Sequence, residues 1–238
     1  MKTVRFEDLI LLENDNYIII NKPPFISSLD ERFGENTSIK KLATDYYPDA
    51  QLCHRLDKET SGVLAIAKNP EAYRHLSMQF EHREVTKIYH ALVEGVQDFE
   101  EMVVDYPILN TTHGTVKIDP RGKMAETRFK IVKAYRKYTL LKCMPVTGRL
   151  HQIRIHLMAA KASIVGDETY GGHPFFLSSI KKRYNLKNLT EELPLIQRVA
   201  LHAFSLEFQD LTGEQLYIEA PYPKDFAVLI RQLEKYSA

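Results

Sequence analysis

The chain has 238 residues, of which 44% are hydrophobic, so it is long enough for one large domain or two small ones with a substantial core. Its two cysteines exclude a disulfide framework and a cysteine-rich zinc site, and its net charge of +1 gives no overall attraction to a polyanion. No apolar run approaches the ~20 residues that cross a bilayer, and the start of the chain lacks the apolar segment of a signal peptide, so we expect a protein of the reducing cytoplasm that enters no membrane.

Strand and helix signals alternate in the first half of the chain. Gly62–Ala67 is an almost unbroken apolar run, which predicts a strand buried on both faces. Asn69-Pro70-Glu71 is a strong helix start, with a capping side chain, proline in the first turn and an acid behind it. The other predicted elements here are a strand at Tyr17–Asn21 that Lys22-Pro23-Pro24 ends, a helix from about Ser38 to Tyr47, and a strand at Val85–Val93.

Adjacent strands dominate the second half. The pattern predicts strands near Thr115–Ile118, Glu126–Ala134 and Thr139–Met144, then an amphipathic helix from about Arg149 to Ala160 capped by Thr147, with Leu150, Ile153 and Leu157 on one face. Residues 166–195 read as a long connecting region, followed by a hairpin of Ala203–Phe208 with Gln215–Glu219 and a helix after Pro223. We therefore expect an α+β fold with a mixed, largely antiparallel sheet and flanking helices, in a single domain over 1–238.

The most informative stretch is 54–68, His-Arg-Leu-Asp-Lys-Glu-Thr-Ser-Gly-Val-Leu-Ala-Ile-Ala-Lys. It places the carboxylate of Asp57 on a polar turn directly before the buried strand. Loops held by a rigid scaffold often carry reactive groups. The alternative is that Asp57 and Thr60 are turn formers whose side chains bind nearby backbone amides.

The whole string resembles the signature of the RluA-type pseudouridine synthases, with nine matching residue types in fifteen positions. The resemblance implies a pseudouridine synthase fold with a central RNA-binding cleft, and isomerisation of uridine to pseudouridine within RNA without metal or organic cofactor. The family's essential catalytic aspartate corresponds to Asp57. Because the first motif begins near residue 17, we expect no separate N-terminal RNA-binding domain.

Two further stretches strengthen the resemblance. Lys87-Ile88-Tyr89-His90-Ala91-Leu92-Val93-Glu94-Gly95 is similar to the family pattern Lys-x-Tyr-x-Ala-x-Val-x-Gly, in which the tyrosine stacks against the target base. On residues alone, Tyr89 is equally well a ring packed half in the core with a wet hydroxyl. The string that starts at Thr147-Gly148-Arg149 resembles the family pattern Thr-Gly-Arg-x-His-Gln-Ile-Arg-x-His. In this resemblance Arg154 corresponds to the arginine that pairs with the catalytic aspartate. On residues alone, an arginine on an amphipathic helix is more often a solvated cation.

A third, weaker likeness lies at Lys22-Pro23-Pro24. This stretch is similar to the family's Lys-Pro turn, although the family usually has glycine where Pro24 or Phe25 falls.

These matches imply a separate role for each residue of the site. Asp57 would act as a nucleophile at C1′ or a base at C2′, and Arg154 would hold it charged. Tyr89 would stack on the detached base, and Arg55 would fill the space left by the flipped nucleotide or hold a phosphate. We also assign RNA contacts to Arg149 and His151. Because His151 and His156 are five residues apart and do not share a helix face, zinc is not expected.

Basic residues are concentrated in 117–161, which holds twelve Lys or Arg and two acids for a net charge of +10, leaving −9 for the remainder. This asymmetry favours a basic face for RNA, to which we assign Lys133, Arg136 and Lys137, although solvated strand faces would explain it too.

Two alternative functions remain open on the residues. One is a non-catalytic RNA-binding module on the same scaffold. The other is a nucleosidase-type hydrolase, in which Asp167 would be the second carboxylate that such enzymes use. The sequence does not distinguish ribosomal from transfer RNA, and we expect a monomer without an obligate protein partner.

Overall fold

The computed structural model describes residues 4–30, 37–112, 114–185 and 191–237. Within these ranges the strands, in chain order, are β1 (Ile10–Glu13), β2 (Tyr17–Lys22), β3 (Gln51–Leu52), β4 (Ser61–Ala67), β5 (Thr86–Glu94), β6 (Met102–Val104), β7 (Ile108–Asn110), β8 (Val116–Ile118), β9 (Thr127–Ala134), β10 (Tyr138–Pro145), β11 (Leu201–Gln209) and β12 (Gln215–Glu219). The α-helices are α1 (Ile39–Tyr46), α2 (Pro70–His82), α3 (Gln152–Ala159) and α4 (Lys224–Tyr236), with short 3-10 turns at Glu7–Leu9, Glu168–Tyr170 and Leu177–Ser179.

The first two helices begin where the sequence predicts. The Ser38 hydroxyl accepts a hydrogen bond from the Lys41 N–H and caps α1, and the Asn69 side chain does the same for the Ala72 N–H of α2. Each cap satisfies a backbone donor that has no partner inside the helix. None of the helices in the described ranges is long and apolar enough to cross a bilayer.

The chain forms two compact units, each built from two segments. Unit 1 consists of Met1–Tyr89 with His202–Pro221, and unit 2 consists of His90–Leu201 with Tyr222–Ala238. The first crossing between them falls inside β5, so the units are not consecutive domains joined by a linker. The description as one catalytic domain over 1–238, without a separate N-terminal RNA-binding domain, stays a prediction.

Unit 1 is organised around β4, which is buried along its whole length. β2 runs antiparallel to it from Tyr17↔Ala67 to Lys22↔Gly62, while β3 and the parallel strand β11 pair with it at opposite ends. Alternate side chains of β2 and β4 enter two core clusters. One includes Leu76 of α2 and the strand residues Tyr17, Ile19, Val63, Ala65 and Ala67; the other includes Ile39 of α1 and the strand residues Ile18, Ile20, Leu64 and Ile66. The prediction of a strand buried on both faces is confirmed.

Gly62 allows the parallel pairing of β4 with β11. Its φ is +117°, and a Cβ at this position would lie 2.1 Å from the Ala203 carbonyl oxygen. No residue other than glycine fits so close an approach. Beside it, the Ser61 hydroxyl lies 2.9 Å from Nδ1 of His202, whose Nε2 lies 3.0 Å from the Ala220 carbonyl. The start of β4 is therefore held by backbone and side-chain bonds to the returning segment.

Unit 2 contains the strand order β5-β10-β9-β6, with β7 and β8 as a separate antiparallel pair. β9 and β10 are antiparallel, and their register shifts because Leu140 pairs with Lys133 while Leu141 pairs with Ile131. Val132 is the extra residue of this bulge. A bulge changes which face the following side chains occupy, so Lys133 lies on the same sheet face as Lys130 rather than that of Ile131.

The fold class predicted from the sequence is confirmed: a mixed sheet with one parallel pairing, otherwise antiparallel in the pairings above, and helices packed against it. The sequence missed the short strands β1, β3, β6 and β7. Part of the predicted connecting region, 186–190, lies outside the described residues. The central RNA-binding cleft stays a prediction.

Candidate active site

The backbone of the loop that carries Asp57 is held in place by hydrogen bonds within unit 1. The Ser28 hydroxyl donates to the Leu56 carbonyl at 2.7 Å and accepts from the Leu56 N–H at 3.0 Å. The Thr60 N–H donates to the Asp57 carbonyl at 3.0 Å and closes a turn. Both the residue before Asp57 and the turn after it are therefore restrained, while Asp57 itself remains partly exposed.

Lys22 joins this loop to the turn that follows β2. It is fully buried, and its ammonium donates to the carbonyls of Pro23, Ile26 and Lys58 at 2.9, 2.8 and 3.1 Å. A buried ammonium is tolerated when carbonyl oxygens replace its water. The Lys-Pro likeness was the weakest motif signal, yet its lysine holds the residue next to Asp57. In the sequence, this role of Lys22 is indicated only by its position at the end of an apolar strand and before two prolines.

His54 is a structural histidine. Its Nε2 accepts the Ala65 N–H of β4 at 3.0 Å, and its ring lies 4.9 Å from that of Phe80. Burial, and after it the charge of Lys87, lowers the pKa of His54 to about 3. The imidazole is therefore neutral at physiological pH and fastens the start of the Asp57 loop to the central strand.

We expect the protein to lose stability in acid through this histidine. Between pH 6.5 and 3 an unfolded chain protonates His54 and the folded chain does not, so the free energy of unfolding rises with pH and falls by about 1 kcal/mol per unit on acidification. His54→Gln keeps an acceptor for the Ala65 N–H and should make the free energy of unfolding less dependent on pH. A smaller pH dependence should remain from His156, because burial lowers the pKa of that histidine too. Denaturant unfolding at several pH values measures the effect.

His82→Gln is the control, because His82 is exposed near the end of α2. Equal slopes in His54→Gln and the wild type would contradict the assignment.

Tyr89 lies near Asp57 within unit 1. Its ring packs against the core cluster that contains Leu56 and Ala203, and its side chain is only partly exposed. Burial is the main cause that raises the pKa of the Tyr89 hydroxyl, and the negative charge of Asp57 raises it further. The hydroxyl therefore stays protonated at neutral pH. On the same strand, burial and then the charge of Arg83 lower the pKa of Lys87 to about 8.

Arg154 and Asp167 form a buried ion pair in unit 2. The Arg154 Nε donates to Oδ2 of Asp167 at 2.6 Å, and Nη2 donates to Oδ1 at 2.7 Å. The side chains are 9% and 1% exposed, so Arg154 is not the solvated cation that a helix position alone favours. The bidentate geometry fixes the plane of the guanidinium. The pairing of Arg154 with Asp57 that the resemblance implies stays a prediction.

Tyr170 completes the surroundings of Arg154. The guanidinium carbon lies 5.0 Å from the centre of the Tyr170 ring. The Tyr170 hydroxyl accepts the Val116 N–H at 3.1 Å and lies 2.9 Å from Nδ1 of His151. The Tyr170 hydroxyl therefore links the β8 backbone to the imidazole of His151. Tyr170 is visible in the sequence only as part of a Tyr-Gly pair.

The helix of Arg154 differs from the prediction. α3 begins at Gln152, and its cap position is His151 in the left-handed conformation with φ +50°, not Thr147. The Gln152 side chain explains the later start: its Oε1 accepts the Arg149 N–H and the Thr147 hydroxyl. Every residue from Gln152 to Leu157 is buried, so the helix is not amphipathic. A helix buried on all faces needs partners for its polar side chains, and His156 finds one in Thr127 at 2.9 Å.

Cationic side chains predicted to bind RNA occupy several places. Arg55 is exposed on the Asp57 loop, and Arg149 is partly buried, with Nε donating to the Met124 carbonyl at 3.3 Å. Lys133 lies 3.4 Å from Glu234, while Arg136 and Lys137 are exposed in the turn between β9 and β10.

The basic side chains Lys130 and Lys133 of β9 point away from α3. α3 contacts the face that contains Thr127, since Nε2 of Gln152 donates to the Thr127 hydroxyl at 3.0 Å. Lys130 and Lys133 lie on the opposite face, where Glu101 and Glu234 pair with them. Exposed ion pairs are weak and readily exchanged for other partners. An RNA-binding role for Lys133, Arg136 and Lys137 stays a prediction. In the described ranges no cluster of three His, Cys, Asp or Glu side chains is arranged to hold a metal.

Comparison with known proteins gives consistent matches. The sequence model of the family described as RNA pseudouridylate synthase matches residues 16–159. Proteins described as ribosomal large subunit pseudouridine synthase C, from Vibrio vulnificus (strain CMCP6) and Escherichia coli (strain K12), are 33% and 35% identical over 98% of this chain and 71% and 72% of their own lengths. Two solved structures are similar: human RNA pseudouridylate synthase domain containing 1 (TM-score 0.70, 27% identity, 94% of this chain and 87% of that chain) and 4 (TM-score 0.72, 25% identity, 96% and 94%).

Proposed function

The chain belongs to the RNA pseudouridylate synthase family and is an isomerase of RNA, and we propose that Asp57 is the carboxylate with which it converts uridine to pseudouridine. The observation that carries this proposal is the Asp57 loop. It is anchored on both sides to unit 1, leaves the carboxylate partly exposed, and puts it close enough to Tyr89 to shift the pKa of that hydroxyl.

The reaction suits a single carboxylate. The N1–C1′ bond of uridine breaks, the uracil ring turns, and C5 joins C1′, after which the proton on C5 is lost. Asp57 acts as a nucleophile at C1′ or as a base at C2′, and both routes need it ionised. The target uridine must leave its stack to reach a protein carboxylate, which takes a few kcal/mol and less in a loop.

Tyr89 holds the uracil ring while it turns. Three observations support this role: the ring is half-buried and well packed, it lies near Asp57, and its hydroxyl remains protonated. An aromatic face stacks on a base without sequence preference. The Tyr89 hydroxyl would also take part in removing the C5 proton after the C5–C1′ bond has formed.

Tyr89→Phe and Tyr89→Ala separate the ring from the hydroxyl. Tyr89→Phe should keep the affinity for RNA, whereas Tyr89→Ala should lose about 1–3 kcal/mol of stacking. Filter binding and single-turnover pseudouridine formation measure the two effects. If Tyr89→Phe binds normally and stalls before product, the hydroxyl takes part in the last step. Wild-type binding and turnover in Tyr89→Ala would reduce the residue to part of the core.

The cations around the site take supporting roles. Arg154, oriented by Asp167, holds the Asp57 carboxylate charged. Arg55, exposed two residues before Asp57, enters the space of the flipped nucleotide or binds a phosphate. Arg149 and His151 at the start of α3 contact the RNA backbone. Lys133, Arg136 and Lys137 extend the electrostatic contact, which should weaken with salt as phosphate contacts release counterions.

The substrate is large-subunit ribosomal RNA. Support comes from the curated relatives, whose names specify the large ribosomal subunit and which match nearly all of this chain. We place the enzyme in the cytoplasm, where that RNA is assembled. Mapping pseudouridines in total RNA from a deletion strain tests this: sites in large-subunit RNA should disappear and return with a plasmid copy. Loss of sites only in transfer RNA would contradict the assignment.

The alternative hypothesis, a nucleosidase-type hydrolase, has less support. It requires a second carboxylate, and the candidate Asp167 has both oxygens bound to Arg154. A base-release assay distinguishes the reactions, because an isomerase keeps uracil attached to the ribose. The reading as a non-catalytic RNA-binding module predicts RNA affinity without any pseudouridine formation.

A further inference from the structure

Phe25 is an exposed aromatic residue in an unfavourable backbone conformation. Its φ is +68°, in the left-handed region that residues with a Cβ avoid, and 53% of the residue is exposed. It is the only phenylalanine among the exposed large hydrophobic residues of the described ranges. Glycine adopts this conformation without strain. A turn needed only to reverse the chain would not require a large ring here.

The turn around Phe25 is rigid. Pro24 fixes the preceding φ, and proline followed by a positive φ is the pattern of a type II turn, whose second central position favours glycine. The buried ammonium of Lys22 binds the carbonyls of Pro23 and Ile26, at the two ends of the turn. The backbone that carries the ring is therefore already held in place and need not be ordered when a partner covers the ring.

The same turn is bonded to the Asp57 loop. The Phe25 N–H donates to the Lys58 carbonyl at 2.8 Å, and Lys22 donates to that oxygen at 3.1 Å. Lys58 directly follows Asp57, so these hydrogen bonds connect the turn of Phe25 to the residue next to the proposed catalytic carboxylate. Both belong to unit 1.

We propose that Phe25 is a specificity-determining residue whose ring stacks on an unpaired base of the RNA next to the target uridine; this rests on the function proposed for Asp57. Extruding one nucleotide exposes the faces of its neighbours. Proteins bind such unstacked bases on aromatic side chains. A phenylalanine offers no hydrogen bond, so it selects for an unpaired, stackable base, with larger purines favoured.

A tryptophan at this position reports directly on stacking, because the chain contains none. Phe25→Trp should show quenched emission when a ten-nucleotide single-stranded RNA of mixed sequence is added, and more quenching with purine-rich than with uridine-rich RNA. Tyr217→Trp is the matched control in unit 1, since Tyr217 is 55% exposed on β12. Quenching of Phe25→Trp alone supports the proposal. Equal quenching of both variants, or none of Phe25→Trp at RNA concentrations that saturate binding, overturns it.

Phe25→Gly tests the contribution to substrate binding. Loss of one stacked base should raise KM for a large-subunit ribosomal RNA transcript about five- to 150-fold, with kcat within about twofold. Relief of the left-handed strain should keep the unfolding midpoint within about 3 °C of wild type. Wild-type KM in Phe25→Gly overturns the proposal about Phe25 while leaving Asp57 untouched. The proposed function itself would be contradicted by a different result, namely that the wild-type protein forms no pseudouridine.

Discussion

Asp57→Asn is expected to eliminate pseudouridine formation while RNA binding stays within a few-fold of wild type. The amide has nearly the shape of the carboxylate but neither attacks C1′ nor accepts a proton from C2′. Loss of a positioned base lowers rates about 10²–10⁴-fold, and loss of a nucleophile at least as much. The loop itself should survive, because its backbone is held by the Ser28 hydroxyl, the Lys22 ammonium and the Thr60 N–H, none of which binds the Asp57 carboxylate in these contacts. Single-turnover formation of pseudouridine in a large-subunit RNA transcript measures the loss.

Glu59→Gln is the matched control for this experiment. It removes one negative charge from the same loop, two residues further on, without touching the proposed catalytic carboxylate. Turnover should fall only modestly in this variant. If Asp57→Asn kept activity within tenfold of wild type, or if both variants lost activity equally, Asp57 would not be the catalytic residue.

Arg154→Met is expected to produce the largest loss of stability and a heavy loss of turnover. The substitution leaves the carboxylate of Asp167, 1% exposed, without its bidentate partner. Removing one member of a buried ion pair destabilises a protein by about 3–5 kcal/mol. Turnover should fall further than the folded fraction explains if Arg154 also holds Asp57 charged, as we propose. Unfolding in denaturant and single-turnover kinetics on the folded fraction separate the two effects.

A double variant distinguishes folding from function. Combining Arg154→Met with Asp167→Asn removes the uncompensated charge and should recover much of the stability without recovering turnover. Arg198→Met is the matched control in unit 2, since Arg198 is fully buried and pairs with Asp225 at 2.7 Å. It should lose comparable stability and keep the turnover of the folded protein. Recovery of turnover in the double variant would show that Arg154 serves only the fold.

Local signals predicted much of the fold. The caps of α1 and α2, the unbroken apolar run of β4 and the closing hairpin of β11 with β12 are features of neighbouring residues, and each was found where expected. The start of α3 was predicted wrongly because the Gln152 side chain binds Glu126 and Thr127, which are distant in sequence, as well as the Arg149 N–H just before the helix. Tertiary partners also explain why polar residues of that helix are buried.

The candidate site shows the same limit. Asp57, Tyr89 and Arg154 were found through motif resemblance rather than through residue spacing or hydrophobic pattern. Lys22 and His54 hold the Asp57 loop through bonds to backbone groups, and Asp167 orients Arg154 through an ion pair. These partners cannot be predicted from residue spacing in the sequence. The bulge at Val132 likewise reverses the face of Lys133, so counting charges along β9 cannot predict a surface.

The parallel pairing of β4 with β11 has a consequence for biosynthesis. Ser61 and His202, which bond at this junction, are 141 residues apart. At synthesis rates of about 5–20 residues per second, the first strand waits on the order of ten seconds for the second. During that interval the nascent chain carries an apolar strand end without this neighbour, which is a hazard for aggregation. The segment bearing Asp57 therefore matures late, and chains that terminate before β11 should be captured by chaperones rather than accumulate as enzyme.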